Sequence, residues 1–490
     1  MKDLHDLSLL IQSRIPLIVL ESTEERRALD LLKRVSTQLF TPLYQWSITE
    51  GLLRLEEGYS AQRHNSAPKD VLRHIKASQH PAVFVLTDFH PYLDDPVHVR
   101  LLKDIAIGYQ DAARTVVLLS HDIDMPAELS NFSAGFSLSM PAKEMIAREV
   151  KQIASDWSED NNGKKVKADK QAYEMLVDNL TGLTLSDVRR LARAAIYDDG
   201  AISETDIPEV LKAKYNLLGN NSILKFEYET EQFSNVAGFN AVKNWLEQRK
   251  QAFVNRLDGL KPPKGMLLLG VQGCGKSLVA KAVAGIWAVP LLHLDFGALF
   301  NKYHGETERN LRQALDTAEV MQPCVLWVDE IEKAISTSDS DGGTSQRVLA
   351  TLLTWLSEKT SAVFMVATAN NIESLPPELI RKGRFDEIFF VDLPQLTTRK
   401  HIFDIHLRRR NIDASLFNLG DLAKATQGFS GAEIEQAVVS AFYTAHAQKQ
   451  LLNDKLLLAA IKQTRPLSVV MAEPIEQLRR WAKNRTVSAD

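Results

Sequence analysis

"MLLLGVQGCGKSLVAKAVAGIWA", residues 266–288, joins an apolar run to a glycine-rich corner and then to a stretch with helical periodicity. The corner, Gly270 to Ser277, fits G-x-x-x-x-G-K-[ST] and lies in the strand-loop-helix frame that gives this pattern its meaning. Gly270, Gly273 and Gly275 let the backbone wrap closely enough to point N–H groups at phosphate oxygens, and the helix dipole adds positive potential there. Lys276 supplies a mobile charge for the β and γ phosphates, and the Ser277 hydroxyl can take a place on Mg2+. The stretch predicts an α/β fold whose parallel sheet carries a triphosphate site at its carboxyl edge.

Downstream, "CVLWVDEIEK" ends an apolar strand in Asp329-Glu330, which places two carboxylates at the same edge. Asp329 is the expected Mg2+ holder, and Glu330 is the expected residue that orients and deprotonates an attacking water. The next strand, "AVFMVATANN", brings Asn370 there, where an amide can hold that water or the γ phosphate. Hydrolysis of a nucleoside triphosphate is the chemistry this set predicts.

The whole chain fits a soluble, multi-domain protein. It has 490 residues, 45% of them apolar and 24% charged, and no apolar run long enough to span a bilayer. The opening "MKDLHDLSLLIQSRIPLIVLE" is interrupted by Gln12, Arg14 and Pro16 and does not read as a signal peptide. The two cysteines, Cys274 and Cys324, form no disulfide framework and suit a reducing compartment, the cytoplasm or its organelle equivalent. A formal net charge of −4 offers no whole-protein attraction to nucleic acid. Neither a membrane nor a nucleic-acid partner is expected.

The two halves of the chain resemble each other. Pro42, Pro81, Pro126 and Gly182 match Pro290, Pro323, Pro376 and Gly428, with shifts of 248, 242, 250 and 246 residues. Four blocks in one order with nearly constant shifts are what a duplicated domain leaves behind. An unrelated α/β sensor domain in the first half remains the alternative. Under the same shift "IVLESTEERRAL" (18–29) falls on "LLLGVQGCGKSL", and the corner "ESTEER" lacks the glycines and adds three carboxylates. The Asp329-Glu330 position becomes Thr87-Asp88, so this half is expected to bind no triphosphate.

The second half resembles the AAA family of ring-forming ATPases. "GVQGCGKS", "KYHGETERNLR", "VDEIE", "ATANN", "LIRKGRFDE" and "GFSGAEIEQAV" occur in the family's order from about residue 233 onward. Joined to a half without a phosphate loop, the set is most similar to an uncharacterised AAA group known from plastid and bacterial hypothetical reading frames. The resemblance implies a P-loop NTPase sheet with a C-terminal helical lid, preceded by a degenerate AAA-like α/β domain with its own lid. The implied boundaries are 1–140 for the degenerate domain, 141–215 for its helical subdomain, 216–232 for a linker, 233–395 for the ATPase subdomain and 396–490 for its lid. The polar stretch "STSDSDGG" (336–343) reads as a surface loop.

The resemblance also implies roles. Arg381 and Arg384 fall where family members reach a neighbour's γ phosphate, and Lys302-Tyr303 falls where several members grip polypeptide, although His304 departs from the usual aliphatic residue. Ile402 and His406, with i, i+4 spacing on one helix face, would flank adenine. Val236, Ala237, Gly238, Gly431 and Ala432 would contact the base, and Cys274 and Leu278 would contribute to the nucleotide loop. A thiol at a helix N-terminus tends toward a low pKa, which would make Cys274 oxidisable, whereas a small residue that fits the loop is the plainer reading. ATP and Mg2+ are the expected cofactors, and a homo-hexamer or other ring is the expected assembly. The expected activity is ATP turnover coupled to remodelling of a protein partner recruited by the first half. A nucleotide-gated binding switch with slow turnover and a nucleic-acid-associated ATPase are the alternatives.

Overall fold

The computed structural model describes residues 2–55, 65–203, 205–218, 223–227, 235–254, 259–300, 307–334, 344–372, 375–381 and 383–490. The chain divides into two compact units, Met1–Ile153 with Thr181–Arg190, and Ala154–Leu180 with Leu191–Asp490.

The first unit is built on β1 (Leu17–Glu21), β2 (Leu43–Ser47), β3 (Gly51–Arg54), β4 (Ala82–Thr87), β5 (Arg114–Ser120) and β6 (Ser133–Ser137), ordered β3-β2-β4-β5-β1-β6. Every neighbouring pair is parallel except β2 with β3. Both β4 and β5 are buried along their whole length. Their residues alternate between two cores: Phe84, Leu86, Val116 and Leu118 enter one, and Val83, Val85, Val117 and Leu119 enter the other. A strand covered on both faces favours apolar residues, hence the apolar runs Ala82–Leu86 and Val116–Leu119, with polar residues kept to the strand ends. The helix Glu25–Leu39 buries Ala28, Leu32 and Val35 against the second core. Helices Pro68–Ala77 and Pro96–Ile107 fill the first core with Val71, Ile75, Leu102 and Ile105.

The second unit has a short parallel pair, β7 (Lys167–Ala168) with β8 (Ala201–Ile202), and a seven-stranded sheet. Its members are β9 (Leu224–Glu227), β10 (Gly265–Gly270), β11 (Leu291–Leu294), β12 (Cys324–Val328), β13 (Val363–Ala369), β14 (Glu387–Val391) and β15 (Val487–Ser488), ordered β15-β14-β10-β13-β12-β11-β9. Leaving aside the edge strands β3, β9 and β15, each unit orders its strands fifth, first, fourth, third, second along the sheet. The chain is thus an α/β protein whose two large sheets are parallel apart from the edge strands β3 and β9, and the P-loop strand β10 sits centrally, paired with β13 and β14.

One expectation needs correcting. Part of the 216–232 stretch belongs to the sheet: β9 pairs antiparallel with β11, and the Asp295 N–H donates to the Ile223 carbonyl at 2.8 Å. The alternation Leu224-Lys225-Phe226-Glu227 buries Leu224 and exposes Lys225, which pairs with Asp295 at 2.8 Å. The polar composition of the flanks hid a four-residue edge strand. The rest of that stretch at 219–222 and 228–232, and the 336–343 loop, lie outside the described residues.

Helices Leu396–Arg408, Leu419–Ala425, Gly431–Ala447 and Asp454–Gln463 pack around Phe403, Leu422, Phe429, Ile434 and Leu457. This bundle has its own core, separate from the sheet's. Among the described residues no helix is long and apolar enough to cross a membrane.

Candidate nucleotide site

The carboxyl end of β10 admits only glycine at position 270, because a Cβ there would lie 2.0 Å from the Val391 carbonyl oxygen. The chain then turns through Gly275, whose φ of 89° is open to glycine and strained for other residues, into the helix Lys276–Trp287. This aims the helix N-terminus into a cleft of about 390 Å³ between sheet edge and lid. Lys276 is buried, and its Nζ donates to the carbonyls of Gly270 and Val271, each at 2.8 Å. Burial lowers the Lys276 pKa to about 8.

Opposite the loop, β12 and β13 deliver the acids and their partners. Asp329 Oδ1 accepts from Ser277 Oγ at 3.2 Å and from Thr368 Oγ1 at 2.5 Å. The backbone of Glu330 has φ 49°, and its N–H donates to Thr368 Oγ1 at 2.9 Å. Asn370 Nδ2 donates to Glu330 Oε1 at 2.8 Å, while the Asn370 N–H donates to Glu332 Oε1 at 2.8 Å. Lys333 pairs with the other Glu330 oxygen. Burial raises the Glu332 pKa, and Glu332 Oε2 has no hydrogen-bond partner among the described residues.

The lid closes the other side. The Ala432 N–H donates to the Gly273 carbonyl at 2.9 Å, so the first turn of the helix Gly431–Ala447 rests on the phosphate loop. A capping box between Ser430 and Glu433 fixes that helix start. Ile402 and His406 face the cleft from one helix, and Val236, Ala237, Gly431 and Ala432 complete this wall. His406 is buried, with its pKa lowered by that burial, and its Nδ1 lies 3.5 Å from Glu435 Oε1 without a hydrogen bond.

The cleft therefore gathers Gly273, Cys274, Gly275, Lys276, Ser277 and Leu278 with Asp329, Glu330 and Asn370. Gly238 lies just behind the wall, where a Cβ would meet the Asp490 carboxylate at 2.8 Å. Arg381 and Arg384 do not line the cleft. Arg381 is exposed, and Arg384 is half-buried with Nη1 lacking a partner among the described residues. Lys302 and Tyr303 lie outside the described residues. Thr368 and Glu332 escaped the sequence reading. Thr368 lies two residues before Asn370 on the same strand, and only the strand pairing aims its hydroxyl at Asp329.

At Cys274 two influences oppose each other. The helix N-terminus favours a thiolate, but the side chain packs into the sheet core, and burial pushes its pKa up to about 12. Desolvation outweighs the dipole here, and the thiol is a small core residue.

The Ser277 hydroxyl and the Asp329 carboxylate fit a hard divalent cation. Mg2+ with ligands at about 2.0–2.1 Å brings neighbouring oxygens about 3 Å apart, close to the 3.2 Å found for this pair.

The corner "ESTEER" is built differently. Ser22 Oγ accepts from the Glu24 N–H at 3.0 Å, and Glu24 accepts from Arg27 Nη1 at 2.7 Å and from the Leu185 N–H at 2.5 Å. Glu24, the residue before this helix, thus turns its carboxylate to Arg27 and Leu185 and makes no hydrogen bond to the helix's own first N–H groups.

Residues 266–393 match the model of the ATPase family associated with various cellular activities (AAA). Residues 3–136 match the SpoVK-like AAA ATPase N-terminal domain, and 144–221 match the SpoVK-like AAA ATPase second domain. The chain belongs to the AAA family of ATPases. It is 37% identical over 490 residues to "Uncharacterized AAA domain-containing protein ycf46" of Trieres chinensis, covering 99% of this chain and 97% of that one. The protein of the same name from Guillardia theta is 36% identical, over 98% of this chain and 95% of its own. "Proteasome-activating nucleotidase" of Saccharolobus solfataricus is 39% identical over 194 residues, 38% of this chain and 49% of that one.

Proposed function

We propose that the second unit binds Mg2+ and ATP and hydrolyses the γ phosphate, and that turnover remodels a protein partner. The observation that carries this reading is the hydrogen bond of Asn370 to Glu330 beside the buried Lys276. It supports a carboxylate held for a water that would attack the phosphate. Mg2+, when bound, neutralises phosphate charge and orients the terminal phosphoryl group. Lys276 would trade its two carbonyl partners for phosphate oxygens, and Ser277 and Asp329 would hold the cation. Glu330 would accept the water's proton while Asn370 keeps its carboxylate in line. Ile402, His406 and the 236–238 segment would hold the base.

Arg381 and Arg384 would serve a neighbouring subunit's site. Their position outside their own cleft and the unpartnered Nη1 of Arg384 support a head-to-tail interface, which closes into a ring. The first unit would be a catalytically silent sibling that recruits the partner. Its strand order supports common descent, and the glycine-free corner with its three carboxylates supports the loss of phosphate binding. The test is a pull-down with Glu330→Gln in ATP. A partner retained by this variant and released by Lys276→Ala is expected; a protein captured equally by both would oppose a nucleotide-driven cycle.

A further inference from the structure

We infer that the first unit holds a divalent transition-metal ion on Asp88, His90 and His121, at the edge of its own sheet that is equivalent to the one bearing Asp329 and Glu330 in the second unit. Asp88 follows β4 as Glu330 follows β12, and both turn through the left-handed region, with φ 51° and 49°. His90 begins the short helical turn after β4, and His121 follows β5. One ligand atom from each of the three lies within 4.8 Å of the others. A cation bound at about 2.0–2.2 Å needs ligands about 3–3.5 Å apart. Small rotations of Asp88 and His121, both exposed, cover the difference.

Ser120 supplies an orienting contact. Its hydroxyl donates to Asp88 Oδ1 at 3.0 Å and lies 2.8 Å from His90 Nδ1 and 3.4 Å from His121 Nδ1. With its single proton committed to Asp88, the hydroxyl accepts from the His90 Nδ1–H, which leaves the lone pair of His90 on Nε2. Such outer contacts fix the tautomer and direction of a metal-binding imidazole. The two rings stand at 90° with centroids 4.9 Å apart, so they are close without being stacked. The group does not form a nucleophilic relay, because the carboxylate bonds to the serine and not to the histidine.

Two imidazoles and a carboxylate select Zn2+ and its first-row neighbours over Mg2+ or Ca2+, which favour oxygen-only sets. Such an ion would clamp the ends of β4 and β5 and leave positions for water or an outside ligand. The duplicated sheet edge would thus have exchanged a phosphate-bound cation for one held by imidazole.

The test uses the full chain, stripped with chelator and kept in excess Mg2+ so that oxygen-donor sites are filled. Zn2+ is titrated calorimetrically, and Co2+ is followed by its visible bands. One equivalent of Zn2+ per chain is expected, with affinity reduced at least about 100-fold in His90→Ala and in His121→Ala. Asp329→Asn should bind Zn2+ like the wild type. Equal Zn2+ binding by the wild type and the double histidine variant would overturn the assignment. X-ray absorption at the zinc edge of the wild type guards against misfolded variants: two imidazoles in the shell are expected, and a shell with none would overturn it as well.

Discussion

Asn370 holds Glu330 by a 2.8 Å hydrogen bond between residues that lie just beyond the carboxyl ends of two adjacent parallel strands. Sheet pairing therefore sets the direction of the carboxylate. Glu330→Gln is expected to bind ATP and lower single-turnover hydrolysis by about 10²- to 10⁴-fold, the usual contribution of a positioned general base. Asn370→Ala should cause a smaller loss, since it frees the acid without removing it. Rapid turnover by Glu330→Gln would remove Glu330 from this role.

The buried Lys276 ammonium predicts a pH dependence. Its pKa is lowered to about 8 in the free protein, and a triphosphate beside it would raise that value. Below pH 8 the lysine is already charged and binding takes up little proton. Above it, binding must recruit a proton, so ATP affinity should fall by up to tenfold per pH unit. Calorimetry at pH 9 in buffers of different ionisation enthalpy should show proton uptake approaching one per ATP. Buffer-independent heat at that pH would contradict the assignment.

Both cysteines should resist alkylation in the folded protein. Burial raises the thiols of Cys274 and Cys324 to about 12, which leaves about one thiolate in 10⁴ at pH 8. A colorimetric thiol reagent should find almost no reactive group before denaturation and two after it. Fast modification of Cys274 in native protein would count against the packing described for it.

Arg384, with an unpartnered Nη1 and no place in its own cleft, should act between subunits. Arg384→Ala and Lys276→Ala are each expected to be nearly inactive as pure assemblies. Mixed assemblies should recover part of the activity, because some interfaces pair an intact cleft with an intact arginine. No recovery in confirmed mixtures would exclude the arrangement.

Only one nucleotide should bind per chain. Equilibrium binding to Lys276→Ala is expected to show no residual ATP site, since the first unit's corner lacks glycines and carries the carboxylates of Glu21, Glu24 and Glu25. Saturable micromolar binding that survives this substitution would place a working site in that unit.

The sequence by itself determined the chemistry-bearing corner and the α/β class. Local rules suffice for both: Gly270 to Ser277 is contiguous, and strands buried on both faces read as mainly apolar runs. The repeat was also legible, because the same strand and helix patterns recur at a nearly constant shift. Tertiary structure decided what depends on partners far along the chain. Thr368 meets Asp329, 39 residues away, only because β12 and β13 pair in register. The β9 edge strand takes its identity from β11, about 70 residues on. The Cys274 thiol pKa is pushed up because the side chain packs on the sheet core, where desolvation overrides the helix-end field its sequence position suggests. The convergence of Asp88, His90, Ser120 and His121 likewise needs β4 and β5 side by side, an adjacency set by nonlocal backbone hydrogen bonds and not by any spacing in the chain.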